Sequence, residues 1–213
     1  MQFSTGAVFG ISAGRGERMM NLRTKRLVLR EWNDDDLEPL ARINDNPRVV
    51  RYVAELLDRG AVAAWIADQR EHFKKHRFGL WALELPSVAK LIGFCGLVNV
   101  PYQAHFTPAV DIEWRLDPAD WGQGYATEAA SAALSFGFAH LGLNEIVANA
   151  AVANLDSRRV MERLGMTHNP KDDFDHPLKA GDDPLQRQVL YRVRSENWCI
   201  STSALKGFGI DRE

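Results

Sequence analysis

"DPADWGQGYATEAASAALSFGFAH", residues 117–140, follows an alternating run, "AVDIEWRL", residues 109–116. In that run Val110, Ile112, Trp114 and Leu116 alternate with Asp111, Glu113, Arg115 and Asp117. This is the period-two pattern of a strand with one apolar face. Gly122 and Gly124 then stand two apart, and an alanine-rich segment with helical spacing runs on to about His140. Glycine is costly inside a regular element, so the pair marks a turn where a side chain would obstruct the backbone's task. A strand that ends in such a turn and opens a helix delivers several N–H groups without intrahelical partners. With the helix dipole they form an anion site, and the glycines let a phosphate come close. Thr127 adds a hydroxyl in the first helical turn. The stretch predicts a site for a phosphate-bearing ligand. A tight turn that only satisfies backbone geometry is the alternative.

Two familiar phosphate loops do not fit. A Walker loop needs Gly-x-x-x-x-Gly-Lys-Ser/Thr, which the chain lacks. A dinucleotide fingerprint needs Gly-x-Gly-x-x-Gly/Ala, and its third position here is Thr127. The turn also lies mid-chain, after a hairpin rather than in an opening βαβ unit, and Glu145 near the ribose-binding distance is weak support.

The rest of the chain frames this turn. Its 213 residues suit one large domain, and 46% hydrophobic with 25% charged residues is an ordinary globular composition. A formal net charge of −2 gives no bulk attraction for nucleic acid or an anionic membrane. Apolar runs stop short of a membrane span. Cys95 and Cys199 form no Cys-x-x-Cys pair, so neither a disulfide framework nor a structural zinc site is expected, and a reducing cytoplasm is the default. Residues 1–20 read as a loosely ordered leader, 21–195 as the domain and 196–213 as a tail. Elements alternate: a strand over residues 26–32, a helix capped by Asn33 or Asp34, and an amphipathic helix over 59–76 with Ala63, Ile66, Ala67 and Phe73 on one face. Two strands follow as a hairpin around "PSVA". After the glycine turn come a strand over 144–152, a helix from Asn154 ended by Gly165, and last strands in "MTHNPKDDF" and "RQVLYRVRS". This order predicts one α/β (α+β) domain around a mixed sheet.

"WGQGYATEAA" resembles the acetyl-coenzyme A loop of the GNAT N-acetyltransferases, in the RimJ/RimL-like (ribosomal-protein N-terminal acetyltransferase-like) branch. Gly124 and Ala126 match the second half of the pattern Arg/Gln-x-x-Gly-x-Gly/Ala, while Trp121 stands where Arg or Gln is usual. "LRTKRLVLREW", "LIGFCGLVNV", "NLDSRRVMERLGM" and "DFDHPLKAGDDPLQRQVLYRV" resemble further segments of the branch, so the likeness covers about residues 21–194. It implies a twisted mixed sheet of about seven strands with about four helices, whose fourth and fifth strands splay apart around the pantetheine arm. Here those strands are residues 110–116 and 144–152. The implied coenzyme contacts are Trp114, Arg115 and Leu116 on the strand, Trp121, Gly122, Gln123, Gly124, Tyr125, Ala126 and Thr127 in the loop, and Asn154 and Arg158 on the next helix. Acetyl-CoA is the implied cosubstrate, and no metal is expected.

Acetyl transfer to an amine needs a neutral amine, donors for the oxyanion and a proton for the leaving thiolate. Glu113 is one base candidate, with a cross-strand ion pair involving Arg115 as its alternative role. The resemblance also points to acidic residues after the Ser helix, where Asp173, Asp175 and His176 are the local choices. Asn154 is a good N-cap, and Ser157 follows one turn on. By resemblance Ser157 lies beside the coenzyme sulfur and protonates the thiolate. His72 and His76 have a metal-ligand spacing but read as a solvated helix face, and Cys95 reads as core. The implied acceptor is a primary amine, a peptide N-terminus or a small molecule such as a polyamine, amino acid or antibiotic. A non-catalytic acyl-CoA binder and a dinucleotide oxidoreductase are the rivals, and a homodimer is left open.

Overall fold

The computed structural model describes residues 21–52 and 58–198; the leader and the tail beyond Trp198 lie outside them. The chain runs β1 (Leu22–Arg23), β2 (Val28–Arg30), α1 (Leu37–Asn44), α2 (Pro47–Val50), α3 (Arg59–His76), β3 (Leu80–Leu85), β4 (Ala89–Asn99), β5 (Val110–Leu116), α4 (Tyr125–Ala139), β6 (Glu145–Ala151), α5 (Leu155–Arg163), β7 (Thr167–His168), β8 (Phe174–Asp175) and β9 (Arg187–Arg194). One mixed sheet takes the order β1-β2-β3-β4-β5-β6-β9-β7, with β8 also on β9. The expected architecture is present. The strand count exceeds about seven because β1, β7 and β8 are two-residue pairings.

Local chemistry sets most boundaries. Asn33 caps a 3-10 turn ahead of α1: its Oδ1 accepts from the Asp35 N–H, and Asp36 Oδ2 accepts from the Asn33 N–H. Asp36, fully buried, also takes two 2.8 Å bonds from the Arg30 guanidinium. Asp58 caps α3, whose buried stripe is Val62, Ile66 and Phe73. Ala63 and Ala67, expected on that stripe, are exposed. Alanines carry little burial free energy, so the larger side chains set the rotation. The expected strand over 26–32 is reduced to β2, preceded by a turn and β1. "MTHNPKDDF" is no single strand either. Pro170, without an N–H, opens a 3-10 turn that separates β7 from β8.

The two faces of β5 have different neighbours. Ile112, Trp114 and Leu116 belong to the main core, where α4 packs on β4 and β5. Ala129, Ala130, Ala132 and Ala133 are all buried and let α4 approach closely. Gly137 fits closely there: a Cβ would come within 2.7 Å of Ile146 Cδ1 and 2.9 Å of Leu97 Cδ1, so these methyls would have to shift. The other face carries Asp111, Glu113 and Arg115. It is covered by α1, where Arg115 Nη1 donates to Asn44 Oδ1 at 2.7 Å. A smaller core of Phe106, Val147, Phe174 and Leu190 closes that face farther along.

Candidate active site

β5 and β6 run parallel and share one register pair, Asp111 with Val147. Beyond it the strands separate, which leaves the β5 edge from Ile112 to Leu116 free to bond an extended ligand. A cleft of about 760 Å³ opens along this gap. One end is backbone. Gly122 and Gly124 have φ of +78° and +79°, values that L side chains rarely adopt. Gly124 caps α4 without a side-chain acceptor, so the first-turn N–H groups remain available to a ligand. A Cβ on Gly122 would meet nothing within 4 Å, so its side faces open space. Trp121 is fixed beside the loop by its Nε1 bond to the Leu116 carbonyl at 2.9 Å, with the Arg48 guanidinium 4.8 Å from its ring. A diphosphate at the loop and an extended arm along β5, two parts of coenzyme A, both fit these groups.

Most of the expected coenzyme residues line this cleft: Trp114, Arg115, Leu116, Trp121, Gly122, Gly124, Tyr125, Ala126, Thr127 and Asn154. Gln123 lies on a shallower hollow outside the loop. Arg158 is placed differently from its expected role: its Nη1 donates to the Val152 carbonyl at 3.2 Å. Arg159 and Arg163, four apart on the neighbouring stripe of α5, line the cleft. Asn154 caps α5 by accepting from the Ser157 N–H at 3.2 Å, and Ser157 faces the cleft from the first turn.

The base candidates separate. Asp173 is bound to His168 Nε2 at 2.7 Å, and Asp175 to Arg187 at 3.2 Å. Neither lines the cleft, whereas Glu113 and His176 do. Burial, and then the Lys179 charge, lower the His176 imidazole below its ordinary value. Glu113 opens on the cleft and is exposed there. Surrounding protein still raises its carboxyl, with the Arg115 guanidinium opposing.

One residue of this group carried no functional signal in the sequence. Asp111, two residues before Glu113 on the same face, is 6% exposed and lines the cleft. Asn149 Nδ2 donates to its Oδ2 at 2.6 Å, while Oδ1 has no partner among the described residues. Burial first, and the Glu113 charge second, push its carboxyl well above the ordinary range. Glu113, the wetter of the two, therefore ionises first, and Asp111 holds its proton to higher pH. Alternation alone marked Asp111 as an outward polar residue; its face is closed by Phe106 from the loop just before β5 and by Val147, Phe174 and Leu190 from farther along the chain.

Elsewhere Cys95 is fully buried and its thiol is pushed up by burial, so it is core. Among the described residues no group of three or more His, Cys, Asp or Glu is placed to hold a metal ion, and no helix is long and apolar enough to cross a membrane.

Residues 26–167 match a family model described as an acetyltransferase (GNAT) domain. The chain is similar to the uncharacterized N-acetyltransferase YnaD of Bacillus subtilis (strain 168), 29% identical over 183 residues, 84% of this chain and 99% of that one. It is also similar to the FsC-acetyl coenzyme A-N(2)-transacetylase of Aspergillus fumigatus, 29% identical over 188 residues, 83% of this chain and 77% of that one. Among solved structures, Mycobacterium smegmatis RimJ in complex with CoA-disulfide superposes with a TM-score of 0.69 at 19% identity, over 87% of this chain and 90% of that one, a likeness of fold. The splayed strands, the glycine loop at the start of α4 and the family match over two thirds of the sequence lead to one conclusion: the chain belongs to the GNAT acetyltransferase family and is an N-acetyltransferase.

Proposed function

We propose that this chain transfers the acetyl group of acetyl-CoA to a primary amine, as a RimJ/RimL-like enzyme with a protein N-terminal α-amine as its acceptor. The observation that carries the reading is that Glu113, Ser157, Gly122 and residues 124–127 line one continuous cleft where β5 and β6 part. The bound thioester supplies an activated acetyl carbon. Glu113 takes the proton that the amine loses, and the β5 edge holds the acyl arm in line with it. An α-amine, with an ordinary pKa of about 8, needs only a modest base. Ser157 donates a proton to the departing sulfur and regains one from solvent. A C–N bond forms, a C–S bond breaks, one proton leaves nitrogen and one reaches sulfur, so no redox partner is needed. His176 and Asp111 flank Glu113 on the acceptor side.

A small-molecule amine is the second reading, favoured by the similarity to a relative named for N(2)-transacetylation. Thiol release and product mass, measured with acetyl-CoA and a panel of peptide N-termini beside polyamines and amino acids, decide between them. Turnover of peptides with retention of an acetyl on the α-nitrogen is expected. Coenzyme binding without thiol release for any amine would replace the enzyme reading with a non-catalytic binder.

A further inference from the structure

The turn between β1 and β2 reaches across the molecule to the glycine loop. Thr24 Oγ1 donates to Glu128 Oε1 at 2.6 Å, and the Arg26 N–H donates to the same oxygen at 2.8 Å. Arg26 Nε donates to Glu128 Oε2 at 2.6 Å. Three donors therefore hold one carboxylate in the first turns of α4, and Glu128 is lowered below its ordinary value by these bonds against the cost of its burial. The same guanidinium has a second partner in the loop itself: Arg26 Nη1 donates to the Gln123 carbonyl at 2.9 Å. Its Cζ lies 4.4 Å from the Tyr125 ring centre, and Nη2 is 3.5 Å from where a Gly124 Cβ would sit.

The Gln123–Gly124 peptide is the one whose orientation matters for an anion. In a trans peptide the C=O and the following N–H point in opposite directions. Gly124, with φ at +79°, tolerates either orientation of that plane, so the loop alone does not select one. An external anchor on the Gln123 oxygen does. Glu128 raises a second requirement, because an unpaired carboxylate at the start of α4 would repel a diphosphate.

We infer that Arg26 is a positioning residue for coenzyme A: by holding the Gln123 carbonyl outward it aims the Gly124 N–H into the cleft, and by pairing Glu128 it cancels the charge that would oppose the pyrophosphate. This rests on the coenzyme reading of the loop. The first β-turn of the domain, remote in sequence, thus sets the geometry of the phosphate cradle.

Arg26→Lys tests it, because a lysine keeps the charge beside Glu128 but cannot bridge Glu128 and Gln123 with one planar fork. Amide chemical-shift titrations compare coenzyme A with S-acetylpantetheine, which lacks the pyrophosphate. The expected result is coenzyme A affinity about tenfold weaker, the scale of one charge-assisted bond, with S-acetylpantetheine affinity unchanged. The Gly124 amide resonance should move in the free variant. Arg26→Met, which keeps the stem over Tyr125 and loses both donors, should show the same resonance shift. Unchanged coenzyme A affinity, or equal weakening of both ligands, would overturn the assignment of Arg26 alone. Failure of the wild-type protein to bind coenzyme A at all would overturn the loop reading and the inference with it.

Discussion

Replacing Gly124 separates the cost of backbone geometry from the loss of the ligand site. Its φ of +79° lies in the left-handed region, which costs an L-residue about 1–2 kcal/mol. A Cβ there would stand 3.5 Å from Arg26 Nη2, an ordinary contact, so the protein itself has room. Gly124→Ala should therefore fold and lose about 1 kcal/mol, or about 2–4 °C in Tm for a domain of this size. Gly124→Val should lose more, because a branched Cβ is poorly tolerated at positive φ. Binding should suffer beyond stability. The added carbon displaces a phosphate from the first-turn N–H groups, and loss of one charge-assisted bond weakens coenzyme A about tenfold or more. Calorimetric titration beside thermal melts reads both effects. A melting loss of the stated size with unchanged coenzyme A affinity would remove the loop from the site.

Asp36→Ala removes one of the two carboxylates on the Arg30 guanidinium, Glu84 Oε2 remaining at 2.8 Å, and should cost about 1–3 kcal/mol in chemical denaturation. Ser157→Ala should lower kcat by roughly ten- to a thousandfold, the scale of one general acid, and leave the KM for acetyl-CoA nearly unmoved; full kcat with weakened coenzyme affinity would make Ser157 a binding residue. The raised Glu113 carboxyl must be ionised to act as base, so kcat/KM for the amine should rise with pH along a limb above the ordinary carboxylate range, and Glu113→Gln should abolish that limb. Asp111→Asn keeps an acceptor for Asn149 and removes a charge the fold resists. A raised folded-state pKa means that the native protein binds the proton more tightly than the unfolded chain, so wild-type stability falls as pH rises past about 4. The gain in Tm of this variant should grow with pH from that point, and a constant gain would refute the burial argument.

The glycine-loop end of the cleft was legible in the sequence because backbone makes it. Paired glycines after an alternating run state a strand, a turn and a helix start within about 25 residues, and local chemistry suffices to place the N–H groups. Asn154 was legible for the same reason, as a cap whose partner is three residues away. The end of the cleft around Glu113 was not. Asp111 and His176 come from two distant segments, and no local pattern announces that both line the cleft. The clamp of Thr24 and Arg26 on Glu128 spans about a hundred positions and was equally silent. Arg158 and Arg159 differ by one position on a helix, about 100° of rotation, which the apolar pattern of a nine-residue helix does not resolve.

The three acidic candidates for the base divide by what each side chain could reach nearby. Asp173 lies five residues after His168, and the 3-10 turn at Pro170 folds one back on the other, so its carboxylate is spent on that pair. Asp175 sits opposite Arg187 in the β8–β9 register and takes the cross-strand bond that such a position offers. Glu113 had an equally close cation in Arg115, and a strand-face ion pair was the competing expectation. That cation is drawn off: α1 offers it Asn44 Oδ1 at 2.7 Å, and Phe94, its cross-strand neighbour, lies under the guanidinium at 5.2 Å. With Arg115 held there, Glu113 keeps a lone pair for a ligand at the point where the strands part. The Asn44 contact from α1 therefore holds the Arg115 guanidinium, and the proposed role of Glu113 as base rests on it. Asn44→Ala should accordingly lower kcat/KM for the amine by letting Arg115 swing onto Glu113, and should move the acidic limb toward lower pH as the guanidinium favours the charged carboxylate. A lower rate with the limb unmoved would show that Asn44 supports the fold without governing the base.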